Sequence, residues 1–307
     1  MVKAATDLDT QLGTEFGTHG VLVVRPEYEI ADGGNAGGED VTQPRSVVAR
    51  AAGSEAVRKL TVLTLLIALW QGYTVLGQVD PLVFPSFSAT VAALGKSIAD
   101  GEMLGRVMMS LRTLLESYVL GLACAAVLTI AAVRSAFGRD LLGTLTAMFN
   151  PLPAIALVPV AMLWFGLGPM SLTFVVANSV LWAVALNIQT GFASVSPTFR
   201  MVGRNYGIKG LGFIYKILIP AAFPSILTGL KVGWAFAWRT LIAAELVFGA
   251  NQGSGGLGWF IFENSQNLFT AKVFAGLLMV MIIGVVVENG IFQTIEARTI
   301  RRWGMQH

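Results

Sequence analysis

The sequence predicts an all-α integral membrane protein with about six transmembrane helices. Composition is the first reason: of 307 residues, 54% are hydrophobic and only 13% charged, against about 25% charged in a soluble domain. Mean hydropathy is +0.67. Length is the second reason. Apolar runs recur along residues 60–295, and about 20 apolar residues cross the hydrocarbon core as a helix. The third is that basic residues collect on one side of a six-span reading.

Residues 1–54 precede the first run. Asp7, Asp9, Glu15, Glu27, Glu29, Asp32, Glu39 and Asp40 are spread among Gly and Asn there, which predicts a flexible cytoplasmic tail ahead of a membrane domain at 55–307. Within the tail, V-L-V-V-R-P-E-Y-E-I at residues 21–30 suits a short strand or a docking segment. The first apolar run begins only near Leu60, so no signal peptide is expected. The first span covers residues 60–76, just after Arg58 and Lys59. An outer segment at 78–105 is broken by Pro81 and Pro85, and its residues 88–99 have the spacing of a helix lying at the membrane surface.

The second span, residues 110–133, is rich in small residues (Gly121, Ala123, Ala125, Ala126), which let neighbouring helices approach closely. Cys124, the single cysteine, excludes a disulfide within the chain and reads as a small residue packed between helices. Arg134 and Arg139 bracket a short loop. The third span, residues 140–164, holds Pro151, Pro153 and Pro159; proline removes a helix hydrogen bond and crowds the preceding turn. After a tight outer turn at 165–170, the fourth span covers 171–191 and the fifth 221–248. Residues 251–258, N-Q-G-S-G-G-L-G, read as a flexible outer loop continued by 263–271, and the last span covers 273–295. No internal repeat is evident.

Basic residues test this path. Lys3, Arg25, Arg45, Arg50, Arg58, Lys59, Arg134, Arg139, Arg200, Arg204, Lys209, Lys216, Arg298, Arg301 and Arg302 fall on one side, and Lys96, Arg106 and Lys272 on the other. The positive-inside rule places the larger set, and both termini, in the cytoplasm. The mirror topology fails the rule.

Residues 196–220, S-P-T-F-R-M-V-G-R-N-Y-G-I-K-G-L-G-F-I-Y-K-I-L-I-P, are a polar interruption between two apolar runs. Ser196 and Pro197 read as an N-cap and a first helical residue. The short helix they open should stop at Gly207, suited to a left-handed cap, with a second short helix at 211–216. Arg200, Arg204, Lys209 and Lys216 have no acid among them. This stretch resembles the cytoplasmic coupling loop of permease subunits of bacterial ATP-binding-cassette importers. That family's pattern is E-A-A, three residues, Gly, nine residues, then I-x-L-P. Gly207, Ile217, Ile219 and Pro220 fall at the matching spacing, while Met201, Val202 and Gly203 occupy the Glu-Ala-Ala positions. P-L-P-A-I-A-L-V-P-V-A-M-L-W-F-G-L-G from Pro151, P-A-A-F-P-S-I-L-T-G-L-K from Pro220 and A-W-R-T-L-I-A-A-E from Ala237 are similar to the nitrate, sulfonate and taurine branch. The resemblance covers roughly residues 81–303.

The resemblance implies a type I importer permease fold in the bacterial inner membrane, with two copies, a homodimer, forming the path. An ATP-binding-cassette ATPase, carrying the ATP and Mg, would dock at Arg200, Met201, Val202, Gly203, Arg204, Gly207, Ile217 and Pro220. An external solute-binding protein would deliver a small anion such as a sulfonate, taurine, nitrate or a carboxylate. Pro151 and Pro153 then fit either a broken helix lining the substrate path or a kinked structural helix.

The residues themselves offer no catalytic site. No G-x-x-x-x-G-K-[ST] phosphate loop occurs, and the glycine run at 253–258 lacks its Lys-Ser/Thr ending. The two histidines, His19 and His307, stand at opposite ends of the chain, leaving no Ser-His-Asp set and no metal site. No cofactor is expected in this chain, it is not an enzyme, and a net charge of +3 gives no support for nucleic acid. What remains is charge within the membrane, which usually faces a cavity or a partner. Arg112 and Glu116, four apart, suit a local ion pair. Lys231 suits snorkelling or a neighbouring carbonyl. Arg239, near mid-span, suits either a stop for an anion or pairing with Glu245 or Glu288. Glu245 suits packing at an outer gate, and Trp234 and Trp238 share a helix face. Arg239, Trp238, Trp234, Pro151, Pro153 and Glu245 are thus the candidate substrate-path residues. The competing class is a self-sufficient secondary transporter or channel, in which Glu245 and Glu288 would couple ions; the missing repeat counts against it.

Overall fold

The computed structural model describes residues 55–248 and 255–299. The acidic tail, residues 251–254 of the glycine loop, and Arg301 and Arg302 lie outside the described residues. The chain divides at Leu60 into two units, and of the first only residues 55–60, the opening turns of α1 (Glu55–Leu76), are described. Leu63, Leu65, Leu66 and Leu69 of α1 are exposed, as an apolar helix in lipid is.

The described residues of the second unit form helices joined by short turns and loops, with no strand among them. At the end of α1, Trp70 donates from Nε1 to Pro85 O at 3.0 Å and its ring meets Phe84, Phe87 and Phe274. That cluster seats the prolines 81 and 85 and opens α2 (Phe87–Ala99), capped by Ser86. α2 does not lie alone on the membrane surface; it packs on α11 (Thr270–Arg298) and α3 (Glu102–Arg134) with Thr90, Leu94 and Ser97 buried.

The core is a three-helix contact of α3, α6 (Pro169–Ser194) and α9 (Phe223–Phe248). Val176, Val180 and Val184 of α6 are buried at its centre with Leu114, Ala237 and Leu241. In lipid, close packing rather than exclusion of water holds helices together. Gly121 shows how close: a Cβ there would stand 2.7 Å from Ala177 O and from Val180 Cβ. Cys124, three residues on, is exposed rather than packed between helices of this chain, because it sits about 60° round α3 from Gly121, just off the edge of the buried stripe.

The proline-bearing span is not one rod. α4 (Ala136–Phe149) and the helical stretch Ala154–Phe165, whose α5 (Val158–Phe165) follows a 3-10 turn, meet at 92°. Extended backbone at Pro153 (ψ 118°) makes the corner. The Ser171 hydroxyl donates to Ala161 O and Gly166 O, fastening the return into α6. Similarly α8 (Leu211–Ala221) meets α9 at 80°. Its residues Ile214–Leu218 take a π-helical turn just before Pro220, where the wider turn relieves the clash of a proline ring with the carbonyl four residues earlier.

Two expectations are corrected. The outer loop at 251–258 and 263–271 contains α10 (Leu257–Gln266), and α11 begins at Thr270. Hydrophobic L-G-W-F-I-F has helical rather than loop character once glycines 256 and 258 are pinned. The second span starts eight residues earlier than expected, at Glu102. Among the described residues four helices are long and apolar enough to cross a membrane, or six if each bent pair is one span, which matches the expected number.

Candidate functional site

The polar stretch folds as its sequence predicts. In α7 (Pro197–Asn205), Ser196 Oγ accepts from the Phe199 N–H at 3.5 Å and Pro197 takes the first helical position. Gly207 then turns the chain at φ 69°, and Gly210 at φ 60° leads into α8. A side chain in this left-handed region costs roughly 1–2 kcal/mol.

Two contacts fix α7 to the bundle. Arg200 donates from Nε to Val195 O at 3.2 Å and from a terminal nitrogen to Phe192 O, acceptors at the C-terminus of α6 that the helix itself leaves underused. Gly203 is buried, and a Cβ there would stand 2.9 Å from Phe213 Cε2 and 3.0 Å from Ile217 Cγ1. The missing side chain lets α7 lie directly on α8. Phe199 (58%), Met201 (56%), Val202 (43%) and Tyr206 (80%) remain exposed. Arg204 is exposed beside them, and Ile217 and Pro220 lie in α8.

The second group surrounds the corner after α4. A cavity of about 160 Å³ is lined by Asn150, Pro151, Pro153, Asn178, Ser179, Phe236 and Thr240 among others. The Phe149 and Trp182 rings stack at 5.1 Å beside it. Trp182 Nε1 donates to Asn178 Oδ1 at 2.9 Å, leaving the Asn178 amide nitrogen as a donor. Arg239 is exposed, with Cζ 5.8 Å from the centroid of the Phe236 ring. Among the described residues it makes no hydrogen bond or ion pair.

Of the two readings of Arg239, pairing with Glu245 or Glu288 is not made, because both carboxylates are committed elsewhere. Glu288 binds Lys231 Nζ at 3.1 Å, and Lys231 also meets Glu296 at 3.3 Å, so Lys231 takes two carboxylates as partners. Glu245, 4% exposed, accepts from Ser110 Oγ at 2.7 Å and from the Gly258 N–H at 2.8 Å. Ser110 Oγ in turn accepts from the Leu257 N–H at 2.8 Å. Beside it Arg106 donates to Gly255 O at 2.8 Å and to Glu263 at 2.9 Å. These contacts clamp the start of α10 onto α3 and α9. A Cβ on Gly258 would stand 2.4 Å from Ile242 O, so the loop's glycine run serves close approach there rather than flexibility.

Trp234 and Trp238 pack between helices. Trp238 is 7% exposed and donates to Val280 O at 3.3 Å, and Trp234 meets Tyr118 edge-on at 5.6 Å. Neither lines the cavity at the corner. Arg112 and Glu116 pair at 2.9 Å on an exposed helix face as expected. Sequence reasoning missed Arg106 and Ser110, whose partners lie about 150 positions away in the chain. Nothing in local spacing marks them.

A family profile described as "Binding-protein-dependent transport system inner membrane component" matches residues 117–301. The chain belongs to that family. This permease subunit is 29% identical over 273 residues to a putative aliphatic sulfonates transport permease protein of Bacillus subtilis, a match covering 83% of this chain and 97% of that one. It is 29% identical to the taurine transport system permease protein of Escherichia coli (75% of this chain, 84% of that one). With the nitrate import permease protein of a Synechocystis species identity is 26% (76% and 86%). The matched residues include the corner, residues 196–220 and α9, and begin after Arg106 and Ser110. The chain is therefore an integral membrane permease subunit of an ATP-binding-cassette importer.

Proposed function

We propose that this permease subunit carries a small anion inward, with Arg239 as a cationic waypoint beside the corner cavity. The observation that carries the reading is a guanidinium on a spanning helix without a counter-charge among the described residues. An unpaired arginine at mid-span is costly, by about 2.5–3.5 kcal/mol on insertion scales, and a transported anion gives it a purpose. Relatives named for sulfonates, taurine and nitrate support an oxyanion. Pro151 and Pro153 open the corner that the polar groups line. The secondary-transporter alternative is disfavoured, since Glu245 and Glu288 are both engaged.

In this reading two copies form the path, an external binding protein supplies the solute, and an ATPase holding ATP and Mg docks on the exposed apolar face of α7. Residues 1–54 form a tail and residues 55–307 the permease domain, with both termini in the cytoplasm of the bacterial cell.

In proteoliposomes containing the assembled importer, Arg239→Gln should lower uptake about tenfold, equivalent to about 1.4 kcal/mol. Arg239→Lys should retain part of it, since charge persists without the planar fork. Uptake is counted per assembled complex; wild-type uptake by Arg239→Gln ends the anion reading. Orientation has its own test. In a Cys124→Ser background, a cysteine at Ser265 should react with an impermeant reagent from outside, and one at Thr198 only after permeabilisation. The reverse pattern overturns the topology.

A further inference from the structure

A large cavity lies where α7 meets the bundle. Its volume is about 880 Å³, within the range of about 300–1,000 Å³ of pockets that hold organic ligands and far larger than a bare ion needs. Arg134 from the last turn of α3, Arg139 from α4, Arg200 and Arg204 from α7, and Lys209 from the loop line it. Among the described residues no acid lines it. Arg200 is occupied with the carbonyls of α6. Among the described residues Arg134, Arg139, Arg204 and Lys209 make no side-chain hydrogen bond or ion pair. Most of the rest of the wall is apolar, with Leu142, Phe192, Phe213 and Leu218 among its large side chains and Thr129 and Gln189 the polar exceptions.

Four uncommitted cations gathered in one concavity repel one another unless an anion lies among them. The apolar wall adds a second requirement, a ligand with a hydrocarbon part. The ends of spanning helices α3 and α6 put the cavity at the membrane boundary, where basic pockets between helices take anionic lipid headgroups. We propose that this cavity binds the phosphate headgroup of an anionic phospholipid, with acyl carbon against Leu142, Phe192, Phe213 and Leu218. Arg134 and Arg139 belong to the bundle, while Arg204 and Lys209 belong to the coupling stretch. One phosphate shared between them braces α7 against the bundle. A protein partner's acidic face fits less well, because a folded surface does not reach an apolar floor between helices. The cytoplasmic placement rests on the proposed function; lipid binding itself does not.

The test uses the full-length chain, purified in detergent and titrated with phosphatidylglycerol or phosphatidylcholine, with bound lipid counted by native mass spectrometry. Wild type should retain one phosphatidylglycerol per chain at a concentration where phosphatidylcholine is lost. Arg134→Gln with Arg139→Gln should weaken that retention about tenfold, and so should Lys209→Gln with Arg204→Gln. Arg112→Gln, in an exposed pair elsewhere on α3, should leave it unchanged. Equal retention of the two lipids, or unchanged retention in both double variants, overturns the proposal. Full displacement by millimolar inorganic phosphate assigns the cavity to a free anion and also overturns it. If the double variants lose ATPase binding but keep phosphatidylglycerol, the cations serve the protein partner instead. Because no uptake is measured, these results stand whatever becomes of Arg239.

Discussion

A Gly258→Val permease should lose the clamp at the start of α10 and most of its thermal stability margin. The added Cβ would stand 2.4 Å from a backbone oxygen, Ile242 O, and 2.6 Å from Glu245 Cβ. Backbone cannot swing aside as a flexible side chain can, so α10 must lift. Overpacking costs typically 1–3 kcal/mol. Lifting α10 also breaks the bond from Gly258 N–H to Glu245, and a hydrogen bond contributes about 0.5–1.5 kcal/mol. A second variant reaches the same clamp without steric clash. Glu245→Ala strands the buried Ser110 hydroxyl and Gly258 N–H, at about 1–3 kcal/mol for each group left unsatisfied. Both variants should lower the melting temperature in detergent and expose the segment before α10 to protease. A wild-type melting temperature for both would show that the clamp contributes nothing.

Gly203→Leu should uncouple ATP hydrolysis from uptake while the protein still inserts and assembles. Any Cβ here meets the Phe213 ring and Ile217, and a leucine needs room that the α7–α8 contact does not have. α7 must rotate or rise, carrying the exposed Phe199, Met201 and Val202 with it. Gly207→Val acts differently. The space around Gly207 is open, so its cost is backbone alone, roughly 1–2 kcal/mol, and its effect on coupling should be the smaller of the two. Hydrolysis measured with and without solute-loaded binding protein separates coupling from assembly. Normal stimulation by loaded binding protein in Gly203→Leu would refute the seating of α7.

Local rules made α7 legible in the sequence. Ser196, Pro197 and Gly207 act on backbone within four residues of themselves, so cap, start and stop could be read in place. Arg112 and Glu116 were legible for the same reason. Pro151 and Pro153 announced a break, but not its 92° angle, which Phe149 stacking on Trp182 and the Ser171 tie help to hold. The clamp was opaque. Its glycines look like loop, and what makes them necessary is a serine on α3 and a glutamate on α9. Arg239 was read as a choice between a partner and a ligand, and only the bonds that Glu245 makes to Ser110 and Gly258 and Glu288 makes to Lys231 decided against the partner. Cys124 shows the same limit: small size suggests packing, but helix rotation decides which face it occupies.

The α3 helix is one unbroken piece of 33 residues, about 50 Å at 1.5 Å per residue, while the hydrocarbon layer is about 30 Å thick. Near one end it holds Arg106 and Ser110; its last residue is Arg134. Close to its midpoint Gly121 bears on the α6 backbone at Ala177. The buried residues of α3 run from Met103 to Ala132, so the rod is gripped along nearly its whole length. A stiff helix held this way ties the Arg106 and Ser110 contacts at one end to Arg134 at the other as one rigid strut.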